Sequence, residues 1–300
     1  MIVKEAMPLN FEPIALDRQK DYLERLARCP QVASDYSFLN VWAWAEQYGL
    51  LWAWDGPLVW LKQTRPREAF WAPVGPWQEV EWGAHPISTG DGGRVFTRVP
   101  EKLAEIWQSC FGQRIRVEPE RGQWDYLYAA RELIELPGNR FHNKKNLFNQ
   151  FIKSYDHTYV DFGPKVIEQA MAMQEDWCTW RDCESSDLLA AENHAILRVL
   201  DQWNRFESIL GGALFVENLI VAYTLAEPLT ADTLVIHFEK GCPAYKGAYQ
   251  AINQMFLAHA AGSFQFVNRE QDLDNEGLRK AKLSYNPFDF LRKSKVTFGG

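Results

Sequence analysis

The residues best suited to chemistry fall between Thr233 and Asn253. Thr233–Glu239 alternates as a strand does, with Leu234, Ile236 and Phe238 on one face and Val235, His237 and Glu239 on the other. His237 titrates near neutrality, and Glu239 beside it is the candidate base, or base-positioner, of an acyl-transfer site. A turn from Gly241 to Gly247 follows, with Lys240 and Lys246 near its ends, and then a helix. The first turn of a helix presents unpaired N–H groups that attract anions. Lys240, Tyr245, Lys246 and Gly247 are therefore expected to hold a phosphorylated donor, together with Asn253 and Arg269. Tyr249 is placed one turn after Tyr245, where its hydroxyl suits a general acid toward a leaving group. Each assignment has a plainer alternative: Glu239 pairing with Lys240, Lys246 or Arg269, His237 as a satisfied core residue, and the tyrosines as packing.

The elements around this stretch predict an α/β chain. In the first half, Asp17–Cys29 reads as a helix and Ser34 as the N-cap of a second. Leu50–Trp54 and Pro57–Leu61 read as a hairpin in which Pro57 argues against the simplest two-residue turn. A short strand at Phe70-Trp71, a loop at Gly90–Gly93, strand Val95–Val99, helix Glu101–Cys110 and strand Arg114–Val117 complete it. In the second half, helices Pro164–Arg181 and Asp187–Phe206 precede a hairpin across Glu217-Asn218. Strand Thr233–Glu239, helix Tyr245–His259, strand Phe264–Val267 and a helix from Leu278 to Leu283 follow. The same order occurs twice: two helices, hairpin, strand, helix, strand. That order predicts two tandem GNAT-like (acyl-CoA N-acyltransferase) units with mixed sheets and flanking helices, residues 1–125 and 126–300, the second carrying the site.

Charge is distributed unevenly. The net charge is −7, which excludes a uniformly basic nucleic-acid binder, yet Gly138–Tyr155 has no acidic residue and carries Arg140, Lys144, Lys145 and Lys153. As a helix, this segment places His142, Lys145, Asn146, Asn149 and Lys153 on one face and Phe141, Phe148, Ile152 and Tyr155 on another. Arg140, Lys144, Lys145 and Asn146, with Arg279 and Lys282 from the second basic segment, form the expected RNA-binding set. The five cysteines show no metal-binding spacing and are expected to be reduced thiols; Cys178 and Cys183 do not share a helix face. No metal site, no apolar leader and no membrane-spanning run are expected, so a cytoplasmic location is.

Three segments together resemble the phosphatidylglycerol lysyltransferase C-terminal-domain family, in its soluble, stand-alone branch. They are Ser34-Asp-Tyr-Ser-Phe-Leu-Asn-Val-Trp42; Trp124-Asp-Tyr-Leu-Tyr128 with Leu136-Pro-Gly-Asn-Arg-Phe-His-Asn-Lys-Lys-Asn146; and His237-Phe-Glu-Lys240 with Tyr245–Asn253 and Asn268–Tyr285. The resemblance implies a tandem GNAT fold related to Fem-type transferases. It also implies an aminoacyl-tRNA donor whose acceptor arm is the partner, and an amine or hydroxyl acceptor. No tightly bound cofactor is implied.

Acyl-CoA is the alternative co-substrate, and a CoA-dependent N-acyltransferase the alternative enzyme. The loop Gly241-Cys-Pro-Ala-Tyr-Lys-Gly247-Ala248 departs from the Arg/Gln-x-x-Gly-x-Gly/Ala pattern of CoA-binding GNAT proteins, and Pro243 removes a backbone donor. A catalytically silent RNA- or protein-binding module is the third reading. Nucleophile elbows, Walker loops and zinc-protease motifs are absent from the sequence.

Overall fold

The computed structural model describes residues 9–85, 93–181 and 186–299. The loop expected at Gly90–Gly93 falls mostly outside these residues, as does Cys183. The chain folds as two α/β units, Met1–Trp124 with Leu291–Gly300 and Asp125–Phe290.

The first unit carries a seven-stranded mixed sheet of order β1-β2-β3-β4-β5-β14-β6. Its strands are β1 (Glu12–Pro13), β2 (Leu51–Asp55), β3 (Leu58–Gln63), β4 (Ala69–Trp71), β5 (Val95–Pro100), β6 (Ile115–Pro119) and β14 (Lys293–Phe298). The β2–β3 hairpin closes on Gly56-Pro57 alone, since Asp55 pairs with Leu58. Gly56 accepts φ +56°, which lets the two-residue turn form despite the proline. Helix α1 (Gln19–Leu26) is shorter than the apolar pattern suggests. Ser37, not Ser34, caps α2 (Phe38–Ala43), accepting from the Asn40 amide, because Ser34–Tyr36 forms a separate 3₁₀ turn. Aromatic rings fill the core: Trp107 of α4 (Glu101–Phe111), Phe96 of β5 and Phe298 of β14 meet edge to face at 5.0–5.6 Å.

The expectation that everything after residue 125 belongs to one C-terminal unit is corrected by β14. This last strand is inserted antiparallel between β5 and β6, so residues 291–300 belong with the first unit. A basic, mixed-polarity segment, Lys293-Ser-Lys-Val-Thr-Phe298, gives little local sign of a central strand. A buried ion cluster anchors its start: Lys293 Nζ bonds Asp35 Oδ2, and Arg98 Nε lies 2.9 Å from Asp35 Oδ1. Gln63 Oε1 accepts from both Arg98 Nη1 (3.2 Å) and Trp71 Nε1 (2.8 Å).

The second unit's seven-stranded sheet has the order β13-β7-β12-β11-β10-β9-β8. The strands are β7 (Asp125–Ala129), β8 (His157–Asp161), β9 (Leu210–Val216), β10 (Leu219–Pro228), β11 (Thr233–Gly241), β12 (Phe266–Asn268) and β13 (Asp289–Leu291). The β9–β10 hairpin turns at Glu217-Asn218, both with positive φ as a two-residue primed turn requires. Helix α9 (Ala248–Ala260) links β11 to the parallel β12. Its apolar side, including Ala251, Ile252, Phe256 and Leu257, packs with Leu234 and Ile236 of β11 and with Phe151 of α6 (His142–Ser154). Helices α5 (Ala130–Glu135), α7 (Pro164–Arg181), α8 (Asp187–Asp201) and α10 (Glu276–Leu283) complete the unit. Cys178 is disulfide-bonded, against the expectation of reduced thiols, whereas Cys29, Cys110 and Cys242 are free.

Candidate functional site

Strand β11 does not alternate throughout. Opposite β10, Ala226 pairs with Ile236 and Leu225 with Phe238, so His237 is an extra residue in a bulge. A bulge shifts the side-chain alternation by one. Glu239 therefore joins Leu234 and Ile236 on the α9 side, where Asn253 of α9 donates to Glu239 Oε2 at 2.8 Å. Lys240 points to the α7–α8 side.

The second positioning device is a fork in the sheet. β11 and β12 pair only through Thr233↔Phe266, Leu234↔Val267 and Val235↔Asn268. Beyond Asn268, β11 continues to Gly241 without this neighbour. A crevice at the carboxyl ends of parallel strands is the usual place for a ligand in α/β sheets. Glu239 lies in this fork, and Arg269, the first residue past β12, donates from Nη2 to Glu239 Oε1 at 3.1 Å.

Lys144 of α6 enters the same cluster. Its ammonium lies 4.1 Å from the centroid of the Tyr285 ring, and the Arg269 guanidinium lies 4.6 Å from the same centroid. Burial pushes the Lys144 amine down to about 8; Arg269 pushes it further, and Glu239 opposes the shift. Burial pushes the Tyr285 phenol up to about 12 despite Arg269. Two polar atoms in the cluster have no hydrogen-bond partner: Asn253 Oδ1 and Arg269 Nη1, both shielded from solvent. Leaving such an atom unpaired costs about 1–3 kcal/mol.

His237 and Glu239 part company at the bulge. The His237 ring is closed off from solvent, with Nε2 3.1 Å from Glu227 Oε1 and Nδ1 2.8 Å from Glu270 Oε1. Burial lowers its affinity for a proton, but the two carboxylates outweigh burial and raise the pKa to about 9. Held as an imidazolium with both ring nitrogens donating, His237 has no lone pair to act as a base. Its place is to tie β10 to the corner just after Arg269.

The anion cradle expected at Gly247 is closed. Gly247 has φ +89°, and a Cβ there would stand 2.2 Å from the Leu147 carbonyl oxygen of α6. This glycine serves the close approach of α6 to α9. Tyr245 packs edge-on against Tyr155 at 5.1 Å and against the core, and Lys246 is exposed. Lys240 is buried, ion-paired to Glu192 of α8 at 2.7 Å and stacked on Trp177 of α7 at 3.8 Å. Tyr249 joins that group, accepting from Trp177 Nε1 at 3.2 Å. Neither Lys240 nor Tyr249 is drawn to Glu239.

The expected RNA set also divides. Arg279 is committed to Asp272 through two 2.8 Å bonds and to Asp274 through a third at 2.7 Å. Lys282 donates to the backbone carbonyls of Arg269 and Gln271, pinning the loop after β12. Burial pushes its amine down to about 8. Arg140 is exposed and paired with Glu132, Asn146 with His142, and Lys145 is exposed. Tyr285 and Tyr128, whose rings lie against Arg269, carry no local sequence signal that marks them for the site. A signal for Lys144 was present: it precedes Phe148 by four residues and Phe151 by seven, on the stripe that docks α6.

Among the described residues, no group of His, Cys, Asp and Glu could hold a metal ion, and no helix is long and apolar enough to cross a membrane.

The chain is similar to several known proteins. A protein of unknown function from Bacteroides thetaiotaomicron superposes with a TM-score of 0.88 at 26% identity, covering 97% of this chain and 100% of that one. The L-PGS structure from Bacillus licheniformis superposes with a TM-score of 0.63 at 13% identity, covering 97% of this chain and 94% of that one, a likeness of fold. An uncharacterized protein of Mycoplasmoides gallisepticum is 24% identical over 177 residues, 57% of this chain; the match spans about half (55%) of that protein's length. The predicted α/β architecture of two units with mixed sheets and flanking helices is the one observed, each sheet having seven strands. The family described as "Phosphatidylglycerol lysyltransferase, C-terminal" matches residues 26–295. With nine-tenths of its length inside that match, the chain belongs to the phosphatidylglycerol lysyltransferase C-terminal family.

Proposed function

We propose that this chain is an aminoacyltransferase that takes an aminoacyl group from charged tRNA and passes it to an amine or hydroxyl acceptor. The convergence of Glu239, Arg269, Asn253 and Lys144 in the fork between β11 and β12 carries this reading. Family membership supports the reaction class, and the cluster is where we locate it.

For an amine acceptor, the nitrogen attacks the ester carbonyl carbon. A C–N bond forms, the C–O bond to the tRNA 3′-oxygen breaks, and one proton passes from the amine to the departing oxygen. A Lys144 amine lowered to about 8 can accept that proton near neutral pH and return it. Arg269 supplies positive charge where the carbonyl oxygen turns negative. Glu239 balances the two cations. The exposed Lys145 and Lys246 are left to meet phosphates of the acceptor arm. The close approach of the Leu147 carbonyl to Gly247 counts against the CoA reading.

Labelled aminoacyl-tRNA incubated with the chain and a panel of small amines and alcohols tests this reading. Ester consumption with formation of an acceptor adduct is expected, falling steeply as salt rises. Glu239→Gln should slow it about a hundredfold. No consumption above the protein-free rate, with acetyl-CoA turned over instead, would overturn it.

A further inference from the structure

We propose that Asn253 and Arg269 read the α-ammonium and the carbonyl of the transferred group, so that the site selects acyl groups with a free α-amino group. This inference rests on the aminoacyl-transfer reading and specifies what that site recognises.

The Asn253 amide cannot be turned around, because Nδ2 donates to the Glu239 carboxylate at 2.8 Å and a carboxamide oxygen there would be repelled. Oδ1 is therefore an acceptor lacking a donor, beside a carboxylate, on a residue only 1% exposed. Arg269 spends Nη2 on Glu239 and also reaches the Tyr285 hydroxyl, while Nη1 itself has no hydrogen-bond partner. The missing ligand must thus bring a donor, preferably charged, and an acceptor close together. An α-amino acyl group does so: its ammonium satisfies Asn253 Oδ1 and a remaining lone pair of Glu239, and its carbonyl, one carbon away, accepts from Arg269 Nη1. A simple acyl group brings the acceptor without the donor. A phosphate or free carboxylate would face Glu239 and Asn253 Oδ1 with like charge. Lys144 does not already fill the role, since its ammonium lies over the Tyr285 ring.

The test is an NMR titration of the full chain with L-alaninamide, N-acetyl-L-alaninamide and propionamide. L-Alaninamide should bind about tenfold or more tighter than the other two. In Asn253→Leu that preference should shrink to about threefold or less. Since this change also removes a donor from Glu239, Arg269→Lys serves as the second variant: all three probes should weaken together while the preference for the free amine persists. Equal affinities, an undiminished preference in Asn253→Leu, or no binding of any probe would each overturn the inference. If aminoacyl-tRNA is consumed while the probes bind without preference, only the amino-group reading falls. If the preference holds but aminoacyl-tRNA is untouched, the transfer reading falls instead.

Discussion

Each unit contains a carboxylate, a guanidinium and an ammonium in close company, and the two groups differ in how completely they are closed. Asp35, Arg98 and Lys293 are 4%, 8% and 0% exposed at the side chain. Gln63 and the Trp71 indole finish the network. Glu239 and Arg269 keep 10% and 14%, and Lys144 is half-buried over an aromatic ring. Next to them Asn253 Oδ1 and Arg269 Nη1 stay unpaired. The same three charge types are sealed from solvent in the first cluster, where Arg98 Nε faces Asp35 without a full hydrogen bond, and are more open in the second. Buried polar groups left unsatisfied cost stability.

The comparison breaks most sharply at Asp35. Asp35→Ala leaves two buried cations without their carboxylate and should cost about 3–5 kcal/mol, read by urea denaturation. A loss below about 1 kcal/mol would erase the distinction between the clusters. His237 comes next, at about 3 kcal/mol for a pKa raised from 6.5 to about 9. A raised pKa means the folded state holds the proton more tightly. This contribution is therefore complete below about pH 6.5 and lost as pH climbs through about 9. His237→Gln should remove that slope from a series of denaturation curves, and an unchanged slope would refute the assignment. Glu239→Gln should reverse the pattern of Asp35→Ala: turnover falls about a hundredfold, whereas stability changes by about 1 kcal/mol or less. Equal damage to both would make the second cluster a fastener too. Smallest in its effect on turnover, Gly247→Ala should cost roughly 1–3 kcal/mol through backbone strain and the Leu147 carbonyl, with turnover per folded molecule within about twofold of the parent. Loss of turnover without loss of stability would return Gly247 to the donor site.

Much of the architecture was legible because it is written in periodicity. The β9–β10 hairpin is marked by Glu217-Asn218, α9 by its apolar spacing, and α6 by its two stripes. The site was legible as a region but not as a set of partners. Strand alternation places His237 with Glu239, and only the register against β10 reveals the bulge that separates them. Gly247 before a helix looks the same whether it admits a phosphate or a neighbouring carbonyl, and Leu147 lies a hundred positions earlier. Arg279 and Lys282 carry the charge that RNA needs, but local carboxylates and carbonyls claim them first. β14 is not legible locally because its pairing partners are about two hundred residues away, and no local pattern records such distance.

The insertion of β14 also orders events at the ribosome. When residue 290 has been joined, the strands Val95–Pro100 and Ile115–Pro119 are long finished, yet the slot between them stands vacant. The half of the protein translated first is thereby the half completed last, waiting with an open edge on residues that arrive after its neighbour has all the chain it needs.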